Sequence, residues 1–377
     1  MYFRGNKLDN LWVFCGAGGF WFNSIPRGKN LVDEVTRFVK KCSDAGVKQV
    51  SGCAVSLGLA CYSKSKILNS WSKEDLLGTL IKISHDYNIE VHPYIPFPLS
   101  MGGNLMRESG SGVGERSPIT IGSLHFKKDH PEYFIKTRDN KREWLSLSQT
   151  YPETRAYARS IIMEIVQKYN VDGIVLEWNP GPWDGKASLL GYTDKAVKEF
   201  QEKYGINPYT IENSDERWIN FRTQYNTAFM RELRNDLLKL NRKVEITSMD
   251  WTPPRPFLRD WSTWIKENLV DRIIFMYTAG LFQALGYRGL SSYHVYKYTG
   301  EIKKMIKGKC QLIIGLVTYR PPYSENKYQI FSTPELIENG AEAALAAQPD
   351  GLAVYRGDFI EFHKLWDAVK KIGEITT

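Results

Sequence analysis

The chain has 377 residues, 42% hydrophobic and 24% charged, with a formal net charge of +8. That composition is enough for a large core and excludes a disordered or low-complexity chain. The cations are mixed with acids along helical stretches such as "DKAVKEFQEKYG", the pattern of a solvated surface, so no nucleic-acid partner is expected. No apolar run approaches the ~18–20 residues a bilayer-spanning helix needs. The opening "MYFRGNKLDN" has no apolar signal core behind its charges. The expectation is a cytoplasmic protein, or an exported one whose signal has been trimmed. The cysteines (Cys15, Cys42, Cys53, Cys61 and Cys310) are odd in number and lack CxxC spacing. Cys15, Cys42, Cys53 and Cys310 lie in or beside apolar segments and read as small core residues.

In chain order, "NLWVFCGA" (10–17) is the first predicted strand, followed by the helical "LVDEVTRFVKKCSDAG" (31–46). "VKQVSGCAVS" (47–56) leads to "KEDLLGTLIKISHDYN" (73–88), and "IEVHPYIPF" (89–97) is the third strand. A Gly- and Ser-rich excursion over 98–150 follows. The segment 152–170 carries apolar residues at helical spacing and runs into the fourth strand, "VDGIVLEWNP" (171–180). A long helical stretch precedes the fifth, "KVEITSMDW" (243–251). "VDRIIFMYTA" (270–279), "CQLIIGLVTYR" (310–320) and "PDGLAVYRG" (349–357) are the sixth to eighth, with helices predicted near 292–307, 334–347 and 361–374.

Eight strand–helix alternations, with strands apolar on both faces, predict a parallel sheet closed into a (β/α)8 TIM barrel. The rival is a doubly wound open sheet, which would offer a Gly-rich phosphate loop early on. "FCGAGGFWFNS" (14–24) has the glycines, but aromatics replace the helix start. No linker or internal repeat interrupts the chain, so residues 1–377 are expected to form a single domain with 98–150 as a loop insertion.

Active-site groups of such barrels sit where strands exit at their C-terminal ends. The third strand offers His92 and Tyr94, and the fourth offers Glu177, Trp178 and Asn179. The fifth offers Asp250 and Trp251, the sixth Tyr277, the seventh Tyr319 and Arg320, and the eighth Tyr355, Arg356 and Asp358. Trp183 and Asp184, in "NPGPWDG", extend the set. Carboxylates for acid–base work, aromatic faces for sugar C–H groups, and Arg and Asn for hydroxyls suit a carbohydrate. Asp172, at the start of the fourth strand, reads as structural.

The segment "YPETRAYARSIIMEIVQKYNVDGIVLEWN", with "AVKEFQEKYGINP" and "WINFRTQYNTAFMRELRNDL" after it, resembles the family 10 glycosyl-hydrolase-like proteins. The resemblance covers roughly 120–320 and implies a (β/α)8 barrel and a carbohydrate-active enzyme. Where that family's fourth strand often ends in Asp, this chain has Glu177, one methylene longer. The segment also echoes a chitinase-type Asp-Gly-x-Asp-x-Asp-x-Glu pattern, but Val175 and Asn179 replace its second Asp and its terminal Glu.

The leading expectation is a glycoside hydrolase that uses Glu177 with Asp250 as its partner; Asp184 and Asp358 are the alternatives, and Glu325 a distant one. His92, Trp178, Asn179, Trp183, Asp184, Trp251, Tyr277, Tyr319, Arg320, Arg356 and Asp358 are the expected substrate contacts. Neighbouring strands lie about 4.8 Å apart, so two acids on adjacent strand ends would come within ~5–6 Å, the range of a retaining mechanism. A non-catalytic carbohydrate-binding barrel is the alternative. A metal-dependent hydrolase would show His-x-His near the first strand; here only His92 lies at a strand end. No metal and no cofactor are expected.

Overall fold

The computed structural model describes residues 10–15, 30–56, 58–70, 73–97, 129–139, 143–178, 190–250, 258–277, 291–318 and 333–376. Its strands are β1 (Leu11–Phe14), β2 (Gln49–Ser51), β3 (Val55–Ser56), β4 (Leu59–Ala60), β5 (Glu90–Val91), β6 (Tyr94–Phe97), β7 (Phe134–Lys136), β8 (Glu143–Leu147), β9 (Gly173–Trp178), β10 (Glu245–Asp250), β11 (Arg272–Tyr277), β12 (Gln311–Val317) and β13 (Gly351–Tyr355). Nine of them form one parallel sheet, in the order β5-β2-β1-β13-β12-β11-β10-β9-β6.

The two ends of that order are halves of one stretch of chain. The His92 and Tyr94 amides donate to Val50 and Gly52 of the second strand, at 3.0 and 2.9 Å. On the other side Val175 donates to the Pro93 carbonyl at 2.9 Å. Pro93 has no N–H to give to the ladder, so the strand reads as two short pieces. With β1 paired to β13, the ring closes as a (β/α)8 TIM barrel.

Side chains alternate across this wall. Trp12, Phe14, Tyr94, Val175, Met249, Ile274, Met276, Ile313, Ala353 and Tyr355 pack together inside it. Their strand neighbours, such as Val13, Ile174, Leu176, Ile273, Ile314 and Val354, pack with the apolar stripes of the helices outside. Both faces are dry, and that produces the unbroken apolar runs in the sequence.

The helices are α1 (Leu31–Asp44), α2 (Leu76–Asp86), α3 (Pro152–Lys168), α4 (Asp194–Tyr204), α5 (Glu216–Leu237), α6 (Trp261–Lys266), α7 (Ser292–Ile306), α8 (Pro334–Ala346), α9 (Gly357–Phe362) and α10 (Trp366–Thr376). Side chains of Asn30, Asp75, Thr193, Asp215, Asp260, Ser291 and Thr333 cap seven of their N-termini, each taking up a backbone N–H that the first turn leaves unpaired.

Two features depart from the expected pattern. The short helices α6 and α9 are too brief to show a period in sequence. Part of the 98–150 excursion is structured, because β7 and β8 pair antiparallel; residues 98–128 lie outside the described residues. At the foot of the fourth strand Asp172 has the expected structural role. Its Oδ2 accepts from the Val91 amide at 2.8 Å and lies 2.9 Å from His85 Nε2.

Candidate functional site

The fourth strand carries Glu177 to the C-terminal mouth of the barrel. Glu177 shares the inward phase of Val175 and is 8% exposed. It pairs in register with Pro96 of β6 and Met249 of β10. Two residues below Pro96, Tyr94 fills the same interior. Its ring lies 6.0 Å from Phe14, and Phe14 lies 5.7 Å from Tyr355. These three rings form an aromatic floor beneath the mouth, with Cys53 and Cys61 packed among them.

Burial pushes the Tyr94 hydroxyl far above the ordinary tyrosine range, and the neighbouring Cys53, Tyr355 and Glu177 push it further. A phenol held protonated in this way is a neutral hydrogen-bonding group beside the carboxylate.

The eighth strand brings a charged pair to the rim. Arg356 donates through Nε and Nη2 to the two oxygens of Asp358, both at 2.7 Å. Its guanidinium also lies over the Phe359 ring, 4.7 Å from the centroid. Burial works against the Arg356 cation, but the bidentate Asp358 contact outweighs it and holds the pKa above the ordinary arginine value. The Arg356 amide donates to Thr318 Oγ1 at 3.1 Å, which ties the end of the eighth strand to that of the seventh.

The other expected contacts lie elsewhere. Asp250 has the opposite phase to Met249, so its side chain points out of the barrel into the helix layer, where it is 0% exposed. There it forms an ion pair with Arg259 through Oδ1. Its Oδ2 accepts from Ser248 Oγ at 2.8 Å and Trp261 Nε1 at 2.9 Å. Burial, opposed by Arg259, Ser248 and Trp261, raises its pKa. Its partner in register is Trp178, not Glu177. The expected Glu177–Asp250 pair does not form, because the two side chains leave opposite faces of the sheet.

Trp178 also faces outward, packed on Phe97 and Trp264 with ring separations of 4.7 and 5.1 Å. Tyr277 is buried on the same outer layer. Its hydroxyl donates to the Val295 carbonyl at 3.2 Å and lies 3.0 Å from Thr299 Oγ1.

His92 faces inward but sits at the opposite end from the mouth. Its ring is 4.7 Å from Trp12 and its Nε2 lies 3.1 Å from the Glu90 carboxylate. Arg272, paired with Glu245 and bonded to Gln311, also lies over the Trp12 ring and helps to close the barrel's foot. That end of a barrel serves stability. Asn179, Trp183, Asp184, Trp251, Tyr319 and Arg320 lie outside the described residues.

Of the expected set, Glu177 therefore faces the inner mouth, and the Arg356–Asp358 pair lies just past the C-terminal end of the eighth strand. Phe14 and Met249 were not expected at the mouth. No sequence signal singled them out, because both faces of their strands are apolar. Among the described residues, no three His, Cys, Asp or Glu side chains are grouped to share a metal ion.

No curated protein matches this sequence. Solved structures match it across nearly its whole length at low identity. The glycoside hydrolase domain of PgaB (BpsB) from Bordetella bronchiseptica superposes with a TM-score of 0.63 at 12% identity, covering 98% of this chain and 99% of that one. The catalytic domain of a β-amylase from Paenibacillus polymyxa gives 0.62 at 12% identity, covering 98% of each chain. An α-L-fucosidase isoenzyme from Paenibacillus thiaminolyticus gives 0.62 at 13% identity over 96% of this chain, which spans about half, 48%, of that longer protein. These likenesses establish the barrel. The family model for glycosyl hydrolase-like 10 proteins matches residues 62–331. On that match, which takes in the third to seventh strands and the Glu177 strand end, the chain belongs to the glycosyl hydrolase-like 10 family.

Proposed function

We propose that this protein hydrolyses a glycosidic bond in an oligo- or polysaccharide, with Glu177 as an essential carboxylate. The observation that carries the reading is the position of Glu177. It is a nearly buried acid on the inward phase of the fourth strand, at the mouth of a barrel of glycoside hydrolase type. Removal from water makes such a carboxylate a stronger electrostatic partner for a developing oxocarbenium ion or a leaving oxygen. The buried rings of Phe14, Tyr94 and Tyr355 back the mouth with a dry wall, and the Arg356–Asp358 pair offers donors and acceptors to a sugar's hydroxyls.

Glu177 suits the acid/base role, since its longer side chain can serve first the leaving oxygen and then water. Asp358 and Asp184 are the candidates for the second carboxylate. With Asp250 on the outer face, the spacing argument for retention falls, and the anomer of the first product becomes the measurement that assigns the stereochemistry.

The test is release of reducing ends from a panel of polysaccharides by the wild-type protein and by Glu177→Gln. The variant should lose about 10²–10⁴ in rate and keep its circular dichroism and melting temperature. A wild-type protein that binds a glycan but releases no reducing ends would replace this reading with a carbohydrate-binding barrel.

A further inference from the structure

Among the described residues, Tyr62, Tyr94, Tyr192 and Tyr277 are at most 1% exposed. A phenol buried this deeply needs a partner for its hydroxyl, because a hydrogen bond left unmade in a dry interior costs stability. Three of the four have one. Tyr62 donates to the Glu164 carboxylate at 2.8 Å, Tyr192 to Asn213 Oδ1 at 2.6 Å and Tyr277 to the Val295 carbonyl at 3.2 Å. The Tyr94 hydroxyl has no hydrogen-bond partner. Packing does not call for that oxygen. Phe14, the same ring without it, stands beside Tyr94 in the same wall.

The position of Tyr94 supplies a partner. Tyr94 pairs in register with Val175, and Pro96, two residues on, pairs with Glu177. Tyr94 and Glu177 thus share the inward phase on strands about 4.8 Å apart, with Glu177 one inward step nearer the mouth. Across that diagonal a phenol and a glutamate are both long enough to meet. They already act on each other, since Glu177 is among the groups that keep the Tyr94 hydroxyl protonated. The other titratable groups facing the pair are Cys53, Cys61 and Tyr355, with Arg356 and Asp358 beyond the eighth strand. The thiols are weak hydrogen-bonding groups, and Arg356 is bound to both oxygens of Asp358.

We infer that Tyr94 is a positioning residue for Glu177: its hydroxyl donates to the ionised carboxylate as the reacting geometry forms and fixes its aim. Hydrogen bonds of this kind are often long before substrate binds and tighten in the complex. The bond favours the charged form of Glu177 against the opposing effect of burial. Glu177 then passes its proton more readily to the leaving oxygen, and the carboxylate that results has a donor in place. Tyr94 keeps its own proton throughout. The inference rests on the proposed hydrolase reading for the task of Glu177, but not for the contact between the two side chains.

The test reads the carboxyl directly. Glutamate labelled with 13C at Cδ is incorporated into wild type, Tyr94→Phe and Glu177→Gln, and the signal missing from Glu177→Gln identifies Glu177. In Tyr94→Phe that signal should titrate about one pH unit higher, because the charged form has lost its donor. The melting temperature should hold or rise, since the variant deletes an unpartnered buried hydroxyl and keeps the ring. In the hydrolysis assay the alkaline limb of kcat/KM, set by deprotonation of the acid, should move up by the same amount. The kcat should fall about tenfold, with KM within about twofold. Tyr94→Phe added to Glu177→Gln should cost no further rate. The titration needs no turnover, so an inactive wild type would end the hydrolase reading while the titration still decides the pairing. The inference is overturned if Glu177 titrates at the same or a lower pH in Tyr94→Phe, or if an active Tyr94→Phe keeps the wild-type kcat and alkaline limb. It is also overturned if the two rate losses multiply in the double variant. A Tyr94→Phe protein that unfolds or melts well below wild type would assign the hydroxyl to the fold and overturn it as well.

Discussion

Glu177 and Asp250 end neighbouring strands of one barrel, and both are largely or wholly withdrawn from water. One step in phase separates them. Glu177 faces the interior with Val175; Asp250 faces the helices and is matched there by Arg259, Ser248 and Trp261. A buried carboxylate must be paired. The pairing of Asp250 comes entirely from within the fold, and that suits a structural group. Glu177 opens on the side of the wall that a ligand can enter. Residue type and strand-end position are therefore insufficient to nominate a catalytic acid in a barrel, and the face must be known as well.

The largest effect expected from this contrast is on turnover. Glu177→Gln should reduce it by about 10²–10⁴ with native melting, while Asp250→Asn should leave the kcat of the folded fraction within a few-fold. Single-turnover assays on protein purified by size would decide. A hundredfold loss in Asp250→Asn with unchanged melting would abolish the distinction.

Stability should respond the other way round. Asp250→Ala leaves the Arg259 cation buried without its counter-ion and is expected to cost about 3–5 kcal/mol in urea unfolding. The double change Asp250→Leu/Arg259→Met should recover much of that. A cost under about 1 kcal/mol for the single variant would show that the pair is not buried as described.

A smaller loss is expected at the foot of Glu177's own strand. A methyl on Gly173 would run into the His92 ring and the Glu245 carbonyl. Gly173→Ala should cost about 1–3 kcal/mol by the same unfolding measurement. If it were neutral, His92 would not be packed in the barrel's foot.

The smallest effect concerns a half-buried carboxylate that caps a helix. Asp215 accepts from the Arg217 amide at 2.9 Å and from its guanidinium at 3.0 and 2.6 Å. The hydrogen bonds from Arg217 lower its pKa to about 2 from an ordinary value of 3.8. A carboxylate with a depressed folded pKa contributes its full stability above the unfolded value and loses it as pH falls through the folded one. Asp215→Ala should cost about 1 kcal/mol near neutral pH, and the difference from wild type should shrink steadily from about pH 4 to pH 2. A gap that stays constant over that range would mean the cap does not act through its charge.

Much of this protein was legible in its residues. The eight apolar runs, their order and the helices between them follow from local periodicity, as does the arrival of Glu177 at a strand end just before Pro180. The phase of the strands was not legible. In "VDGIVLEWNP" and "KVEITSMDW" both faces are dry, so no polar alternation marks which side is the interior. That is why Asp250, Trp178 and Tyr277 read as mouth residues. The depth of His92 was hidden too, because it depends on how the third strand, broken at Pro93, is staggered against Val50 and Gly173. Local sequence determined which segments are strands and helices, since each obeys its own period. Only closure of the ring decided what faces inward and how high it sits, since those depend on hydrogen-bond register between strands far apart in the chain.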